Sequence, residues 1–349
     1  MSMFKLLGGD LNSSSTHKTY ENEKQTWTEK FRPDTLDDIK GHDTIVRAFK
    51  INLQNKYLPH TLLYGSSGTG KTSIITAFAK ELYGDKYGMM VTEINASLQR
   101  GIEVVRESIT SFCLTLPPFI GKDDPQFKLI ILDEVDSMTT IAQGALRHII
   151  EKYTSNVRFC LICNNIDKIN KAIVSRCTTF RFLPLDRNIV KEKLISLCDS
   201  VCMEIEDDKV IENLINLTNG DMRKLINMIY TFYIKDTKVL SEGLIYENYR
   251  YPSKEMMNVI HDLLFKSKSL DYMRIEFDKF MKMNELDLLV VINELTNTIR
   301  EKMCKDKDNI NYDYLITNLA IIENSLTKYP QRKITINAIS SVFYLSVNK

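Results

Sequence analysis

The sequence predicts an α/β fold in which helices cover a parallel β-sheet, followed by a region built from helices alone. Two short apolar runs support the first part, "TLLYG" at 61–65 and "FKLIILD" at 127–133. Such runs are typical of strands that are buried on both faces of a parallel sheet. Beyond about residue 251, apolar residues recur instead with the spacing of helix faces. The pattern therefore changes from α/β to all-α along the chain.

Length and composition indicate a multidomain globular protein. The chain has 349 residues, of which 44% are hydrophobic and 26% charged, and this length predicts roughly two or three domains. It has no run of about 18 apolar residues, the length that spans a bilayer, so we expect no membrane association. The apolar stub within residues 1–26 is too short for a secretory signal, and we interpret this segment as a flexible tail.

The cysteine content and net charge bear on the redox compartment of the protein and on how it could bind nucleic acid. The seven cysteines are scattered and odd in number, which favours a reducing compartment over a disulfide framework. Cys160 and Cys163 form a CxxC pair inside an apolar run, and no second pair follows at zinc spacing. We therefore expect them to pack in a core. A net charge of +1 implies that any nucleic-acid binding depends on a local basic surface.

A glycine-rich loop follows the first apolar run and precedes a helical pattern. Its sequence "GSSGTGKTS" matches the phosphate-binding pattern at Gly65, Gly70, Lys71 and Thr72. Glycines let backbone N–H groups turn toward phosphate oxygens, and the helix N-terminus favours negative charge. We expect Lys71 to neutralise the β- and γ-phosphates and Thr72 to hold Mg²⁺. The predicted nucleotide ligands in this loop are Gly65, Ser66, Ser67, Gly68, Thr69, Gly70, Lys71, Thr72 and Ser73.

Two carboxylates end the second apolar run. Asp133 is predicted to support the Mg²⁺ coordination sphere together with Thr72. Glu134 is predicted to polarise the attacking water as a general base. Combined with the phosphate loop, these residues predict ATP hydrolysis with ATP and Mg²⁺ as cofactors.

A third strand is predicted at 157–165, and it ends in Asn164 and Asn165. Either asparagine could hydrogen-bond the γ-phosphate and the water, or the pair could simply form a turn. Further on, Arg223 lies in the first turn of a helix that begins after Gly220. It could be a solvated surface residue or could reach back to phosphate. The residues alone leave both questions open.

These motifs in their order resemble the clamp-loader ATPases, specifically the small subunits of replication factor C in the AAA+ superfamily. The resemblance covers roughly residues 27–230, and the combination is more specific than any single motif. The matching stretches are "WTEKFRPDTLDDIKGHD" (27–43), "LPHTLLYGSSGTGKTS" (58–73), "INASLQRGIEVVR" (94–106), "LIILDEVDSM" (129–138), "AQGALRHIIEKYTSNVRFCLICNN" (142–165), "SRCTTFRFLPL" (175–185) and "GDMRKLIN" (220–227).

The resemblance implies a domain order. After the tail at 1–26 it implies an AAA+ nucleotide-binding domain at 27–186, a small helical lid at 187–250 and an all-α collar at 251–349. The apolar stripes beyond residue 251 are those expected of a helical core, and the resemblance adds that the collar binds neighbouring subunits.

The resemblance also implies roles for single residues. Arg176, in "SRC", corresponds to an arginine finger that acts in trans on the nucleotide of a neighbouring subunit, so an isolated chain should hydrolyse ATP poorly. Asn164 corresponds to the sensor of the γ-phosphate, and Arg223 to a second sensor that couples nucleotide to the lid. The N-terminal segment implied to wrap the adenine contains Thr28, Arg32, Ile39 and Lys40. Trp27 begins the same stretch; by itself it would be predicted as a core residue, and both roles are compatible.

The partners implied by the resemblance are other clamp-loader subunits in a heteropentamer, a ring-shaped sliding clamp and primer–template DNA bound without sequence specificity. Arg100 and Arg106 are the candidate DNA contacts, although Arg106 could instead pair with Glu103 on an ordinary solvated helix. Arg147 is a weaker candidate. The implied location is the nucleus, or the site of viral DNA replication if the source is a large DNA virus.

Three departures from the family pattern concern Ser66 and Ser67 in the loop, Val135 within "DEVD", and the pair Leu98 and Gln99, where relatives carry acidic residues. Two other functions are therefore kept beside the clamp loader. One is a homohexameric AAA+ DNA translocase, against which the "WTEKFRP" and "SRC" stretches count. The other is an ATP-binding scaffold subunit with little hydrolysis of its own, against which the intact Lys71, Asp133, Glu134 and Arg176 count.

Overall fold

The computed structural model describes residues 26–97, 109–115, 125–267, 269–303, 311–328 and 331–347. The chain forms two compact units: Met1–Val201 with Thr218–Asp236, and Cys202–Leu217 with Thr237–Lys349. The predicted lid at 187–250 contributes residues to both units. The division into AAA+, lid and collar domains stays a prediction.

A five-stranded sheet forms the centre of the first unit. Its strands are β1 Thr61–Gly65, β2 Val91–Asn95, β3 Lys128–Asp133, β4 Val157–Cys163 and β5 Thr178–Phe182. They lie in the order β2-β3-β4-β1-β5, and every neighbouring pair is parallel. The predicted parallel sheet is therefore confirmed. The carboxyl ends of β1 and β3 carry the phosphate loop and the two carboxylates, so these motifs meet at one edge.

Apolar residues of successive strand positions pack into two cores on opposite faces of the sheet, as strand geometry requires. Leu63 and Ile131 belong to one core and Leu62 and Leu132 to the other. Cys160 joins the first core and Cys163 the second. The two cysteines of the CxxC pair are therefore packed in the core, as predicted, and they lie on opposite faces of the sheet.

The helices follow from capping and periodicity. Side chains of Thr139, Asp221, Ser241 and Ser253 each accept a backbone N–H at the start of a helix. In chain order the helices are α1 Trp27–Lys30, α2 Asp43–Gln54, α3 Lys71–Tyr83, α4 Tyr87–Met90, α5 Thr140–Tyr153, α6 Lys171–Val174, α7 Arg187–Ser200, α8 Asp208–Thr218, α9 Met222–Ile234, α10 Glu242–Tyr249, α11 Lys254–Lys266, α12 Leu270–Met283, α13 Leu288–Met303, α14 Tyr312–Lys328 and α15 Arg332–Val347. Short parallel strands β6 Glu204–Ile205 and β7 Val239–Leu240 pair within the second unit.

Helices α11–α15 enclose one apolar core in the second unit. The apolar stripes predicted beyond residue 251 contribute to it, with Ile260 and Leu264 from α11 and Val291, Leu295 and Ile299 from α13. The predicted helical C-terminal region is therefore confirmed. Within the described ranges, helices of sufficient length and apolar character to span a bilayer are not found.

Candidate active site

A cavity of about 740 Å³ opens in the first unit at the carboxyl ends of the strands, a size suited to a nucleotide. It gathers residues from motifs that lie up to about 200 positions apart in sequence. The predicted site residues that line it are Thr28, Arg32, Ile39, Lys40, Ser67, Gly68, Thr69, Gly70, Lys71, Thr72, Ser73, Asp133, Glu134, Asn164 and Arg223. Gly65 and Ser66 do not line the cavity, but their carbonyl oxygens accept hydrogen bonds from the Lys71 ammonium.

The loop adopts backbone angles that require glycine at two positions. Gly65 has a φ of +147°, and a Cβ there would lie 2.0 Å from the carbonyl oxygen of Phe182. Gly68 has a φ of +68°, and a Cβ there would lie 1.8 Å from a carboxylate oxygen of Asp221. The loop therefore fits closely between β5 and the start of α9, which only a residue without a side chain permits.

Lys71 is buried, with 6% of its surface exposed. Its ammonium donates to the carbonyl oxygens of Gly65 at 2.9 Å and Ser66 at 2.7 Å, and to Oδ1 of Asn164 at 3.1 Å. Burial lowers the pKa of the Lys71 ammonium, and the Asp133 carboxylate opposes that shift. A fixed ammonium at the start of α3 is well disposed to meet phosphate.

Thr72 and Asp133 form the predicted metal pair. The Thr72 hydroxyl donates to Oδ2 of Asp133 at 2.9 Å. A hydroxyl and a carboxylate are hard oxygen donors, and Mg²⁺ in nucleotide sites takes few protein ligands. The residues present therefore fit Mg²⁺. Beside them, Glu134 has left-handed backbone angles, φ 56° and ψ 40°, which are uncommon outside glycine, and its side chain lines the cavity.

The two asparagines after β4 have different environments. Asn164 lines the cavity and accepts from Lys71. Asn165 instead accepts the backbone N–H of Asp167 at 2.8 Å and caps the short 3₁₀ turn Ile166–Lys168. The site contact and the turn, which the sequence left as alternatives, thus fall on different residues. The sensor role of Asn164 stays a prediction.

Helix α9 brings Arg223 to the cavity. The Met222 N–H donates to the Gly68 carbonyl oxygen at 3.2 Å, so the first turn of α9 rests on the phosphate loop. Arg223 lines the cavity and is also exposed, so both alternatives for its side chain stay open. Its role as a second sensor stays a prediction.

The N-terminal segment forms another wall of the cavity. Arg32 pairs with Glu29 at 2.7 Å, and Ile39 is buried while Lys40 is exposed. Trp27 is only half-buried, so its prediction as a core residue is wrong. Its ring packs on the surface of α9 instead, at 5.0 Å from Tyr230 and 4.8 Å from Tyr233 between ring centroids.

Sequence reasoning missed the wall built by α7 and the residues around it. The side chains of α7 carry no motif, and only the fold brings them to the cavity. A signal was available for the others, since they lie within the quoted stretches 27–43, 94–106, 175–185 and 220–227. The missed lining residues are Glu29, Phe31, Pro33, Asp37, Asp38, Asn95, Leu185, Glu192, Lys193, Ser196, Leu197, Ser200, Met222 and Ile226.

Arg176 is not among the residues that line the cavity. It follows α6, and its Nη2 lies 2.6 Å from Oε1 of Glu151 on α5. Its Nη1 donates to the Ala172 carbonyl oxygen at 2.7 Å. The side chain is 40% exposed, so it lies at the surface of its own chain. The predicted DNA contacts Arg100 and Arg106 lie outside the described residues, as do Leu98 and Gln99.

Comparisons with known proteins agree with this geometry. The family model "ATPase family associated with various cellular activities (AAA)" matches residues 61–185, which confirms the predicted nucleotide-binding fold. A probable replication factor C subunit 5 from Dictyostelium discoideum is 38% identical over 93% of this chain and 92% of the relative. Human replication factor C subunit 5 is 38% identical over 92% of each chain. Saccharomyces cerevisiae replication factor C subunit 3 is 36% identical over 90% of this chain and 92% of the relative.

Among solved structures, a mutant of RuvB from Thermotoga maritima is similar with a TM-score of 0.50. It is 14% identical and covers 73% of this chain and 89% of the RuvB chain. At that identity the likeness concerns the fold alone.

Proposed function

The chain belongs to the replication factor C small-subunit family, and from this premise we propose that it hydrolyses ATP within a clamp loader that opens a ring-shaped sliding clamp and loads it onto primer–template DNA. The observation that carries the proposal is the cavity shared by Lys71, Thr72, Asp133, Glu134 and Asn164. Phosphate binding, metal binding and water activation each have a residue there.

Nucleotide binding is assigned to the loop and the walls around it. Lys71 would contact the β- and γ-phosphates, while the Gly65 and Ser66 carbonyl oxygens keep its ammonium in place. Arg223, in the first turn of α9, would contribute a second positive charge beside the phosphates. The segment with Thr28 and Ile39 would hold the adenine, largely through backbone and apolar contact.

Hydrolysis is assigned to the residues at the ends of β3 and β4. Glu134 would take a proton from the attacking water, and Asn164 would orient that water against the γ-phosphate. Thr72 and Asp133 would hold Mg²⁺, which when bound neutralises the charge on the β- and γ-phosphate oxygens. Loss of a positioned general base generally costs about 10²–10⁴ in rate, which sets the effect expected at Glu134.

Arg176 is assigned to a neighbouring subunit's site. Its exposed position, and the fact that it does not line the cavity of its own chain, support this. An arginine of this kind stabilises charge on the transferring phosphoryl group and is worth on the order of 10³–10⁵ in rate. An isolated chain would then hydrolyse ATP slowly, because the group that completes its site belongs to another subunit. We propose a heteropentamer of related subunits.

DNA would be bound through its phosphates, with Arg100 and Arg106 as the candidate contacts in this chain. Such binding is independent of sequence and weakens with salt. A role on replicating DNA, together with eukaryotic relatives, leads us to propose a nuclear location.

The subunit composition of the native complex tests the assembly. We expect the intact-complex mass, measured on material purified through a tag on this chain with ATP present, to give five different but related subunits. A homohexamer would instead indicate a DNA translocase, and the clamp, collar and neighbour assignments would be withdrawn.

The Glu134→Gln variant in the reconstituted complex tests hydrolysis. We expect the variant to bind nucleotide normally and to lose this chain's share of the ATPase that clamp and primed DNA stimulate. The comparison is with an otherwise identical wild-type complex, because the other subunits contribute hydrolysis of their own. An unchanged stimulated rate would instead assign this chain the scaffold role.

A further inference from the structure

The carboxylate of Asp136 accepts two backbone N–H groups at the end of β4, one of them from Asn164. We propose that Asp136 is a positioning residue for ATP hydrolysis, which holds the Asn164 peptide so that the Asn164 side chain meets Lys71 and the γ-phosphate. The proposal rests on the function proposed above, since it needs Asn164 to act in hydrolysis. Asp136 is the last residue of "DEVD", and it takes no part in the metal binding and water activation proposed for Asp133 and Glu134.

Two backbone hydrogen bonds connect Asp136 to the residues that follow β4, one of them to the sensor Asn164. Its Oδ2 accepts the backbone N–H of Asn164 at 3.3 Å and that of Asn165 at 3.2 Å. Two successive N–H groups that converge on one oxygen form an anion-binding concavity. The same Asn164 accepts from the Lys71 ammonium through Oδ1 at 3.1 Å. One residue thus connects the carboxylate to the phosphate-binding lysine.

The sheet itself does not hold this part of β4 against β3. The β3–β4 ladder ends at the pair Leu132 and Leu161, and the β1–β4 ladder ends at Cys163. Asn164 is therefore the first residue beyond the ladders. Asp136 lies in the 3₁₀ turn Val135–Ser137 after β3. Its carboxylate accepts the Asn164 N–H and so connects the end of β3 to the end of β4.

The turn after Asn164 has contacts of its own. Asn165 caps the turn through the Asp167 N–H at 2.8 Å, and the Ile169 N–H donates to the Ile166 carbonyl oxygen at 3.0 Å. Loss of the Asp136 carboxylate would therefore leave the turn folded and release the Asn164 peptide. Displacement of a catalytic group by about 1 Å can cost about 10²-fold in rate.

The negative charge of Asp136 is a second route, besides its hydrogen bonds, by which this residue can affect hydrolysis. Its negative charge opposes the lowering of the Lys71 pKa, and it contributes to the rise of the Cys163 pKa to about 12, for which burial is the larger cause. Substitution by asparagine separates the two routes, because an amide oxygen still accepts the two N–H groups while the charge is lost. Substitution by alanine removes both.

The test is steady-state ATP hydrolysis by the reconstituted complex with clamp and primed DNA, each variant placed in this chain alone. We expect Asp136→Ala to lower this chain's kcat by about 10- to 100-fold with a much smaller change in KM, and Asp136→Asn to recover most of the rate. Asp167→Ala removes an exposed carboxylate from the neighbouring turn and serves as the matched control, with an unchanged rate. Thermal unfolding of the isolated chain should be similar for all three.

A double variant links the effect to Asn164. If Asp136 acts through Asn164, Asp136→Ala adds nothing to the loss caused by Asn164→Ala. Losses that multiply, a wild-type rate for Asp136→Ala, or Asp136→Asn as slow as Asp136→Ala would each overturn the positioning role. A wild-type rate for Asn164→Ala would instead overturn the sensor assignment on which the proposal rests.

Discussion

Arg176 and Glu151 form an ion pair on the surface of one chain, with 2.6 Å between Nη2 and Oε1. Arg147 lies 3.5 Å from the same carboxylate oxygen through its Nε. The pair is 40% and 35% exposed, and pairs of this kind contribute about 0–1 kcal/mol to stability. Glu151 can therefore hold the guanidinium at the surface without a large cost to the transfer that we propose, onto a phosphate of another subunit.

The first prediction separates a role in trans from a role in folding. Arg176→Ala should change the free energy of unfolding of the isolated chain by less than about 1 kcal/mol. In the reconstituted complex it should lower hydrolysis at the neighbouring subunit's site by on the order of 10³ or more. Single-turnover hydrolysis in complexes where only that neighbour is active measures the effect.

Lys171→Ala is the matched control for Arg176, since it removes an exposed cation from α6. It should leave hydrolysis unchanged. An Arg176→Ala complex that hydrolyses ATP at the wild-type rate would contradict the assignment in trans.

The second prediction concerns the close approach of Gly68 and Asp221. In Gly68→Ala the new Cβ would meet the Asp221 carboxylate on a backbone of positive φ, so the loop or the start of α9 must shift. We expect nucleotide affinity to fall at least about tenfold, and the chain to lose about 1–2 kcal/mol of stability. Calorimetric titration of the isolated chain measures the first effect, and chemical unfolding the second.

Gly144→Ala is the control for that substitution. Gly144 lies inside α5 with no atom within 4 Å of the added Cβ, so alanine should stabilise the chain by about 0.5–1 kcal/mol and leave binding unchanged. Equal nucleotide affinities for Gly68→Ala and the wild type would show that the contact does not shape the loop.

The parts of the site that could be predicted from sequence are those whose functional residues and structural context lie close together along the chain. The loop around Lys71 and the acidic end of β3 carry both their residue types and their structural context within a dozen positions. The prediction of Trp27 as a core residue was wrong because burial depends on what packs over a side chain. The residues that contact its ring, Tyr230 and Tyr233, lie some 200 positions away in sequence. Ser196 and Leu197 could not be found at all, since an ordinary amphipathic helix does not reveal which surface it covers.

The third prediction is a dependence of stability on pH through His60. Burial lowers the pKa of the His60 imidazole from 6.5 to about 4, and the charge of Arg158 adds to the shift. Below pH 6.5 the unfolded chain takes up a proton at this position that the folded chain does not. The contribution to stability is therefore complete above pH 6.5 and is lost as the pH falls toward 4, on the order of 2 kcal/mol.

Denaturant unfolding at a series of pH values measures this loss, and the difference between variants isolates it from the carboxylates that titrate in the same range. His60→Gln should flatten the pH dependence between 6.5 and 4. His148→Gln, which alters an exposed histidine, is the control and should keep the wild-type slope. Identical slopes for His60→Gln and wild type would remove His60 as the cause.

The fourth prediction assigns the Trp27 ring a role in nucleotide affinity. Trp27 packs against Tyr230 and Tyr233 of α9, and it directly precedes the segment that lines the cavity from Thr28 onward. An aromatic pair contributes about 0.5–1.5 kcal/mol beyond its buried area, and about 1.4 kcal/mol corresponds to a tenfold change in a binding constant. Trp27→Ala should therefore raise the Kd for ATP about tenfold in calorimetric titration of the isolated chain. Trp27→Phe, which keeps an aromatic ring on α9, should bind within about threefold of wild type, and wild-type affinity in Trp27→Ala would contradict the role.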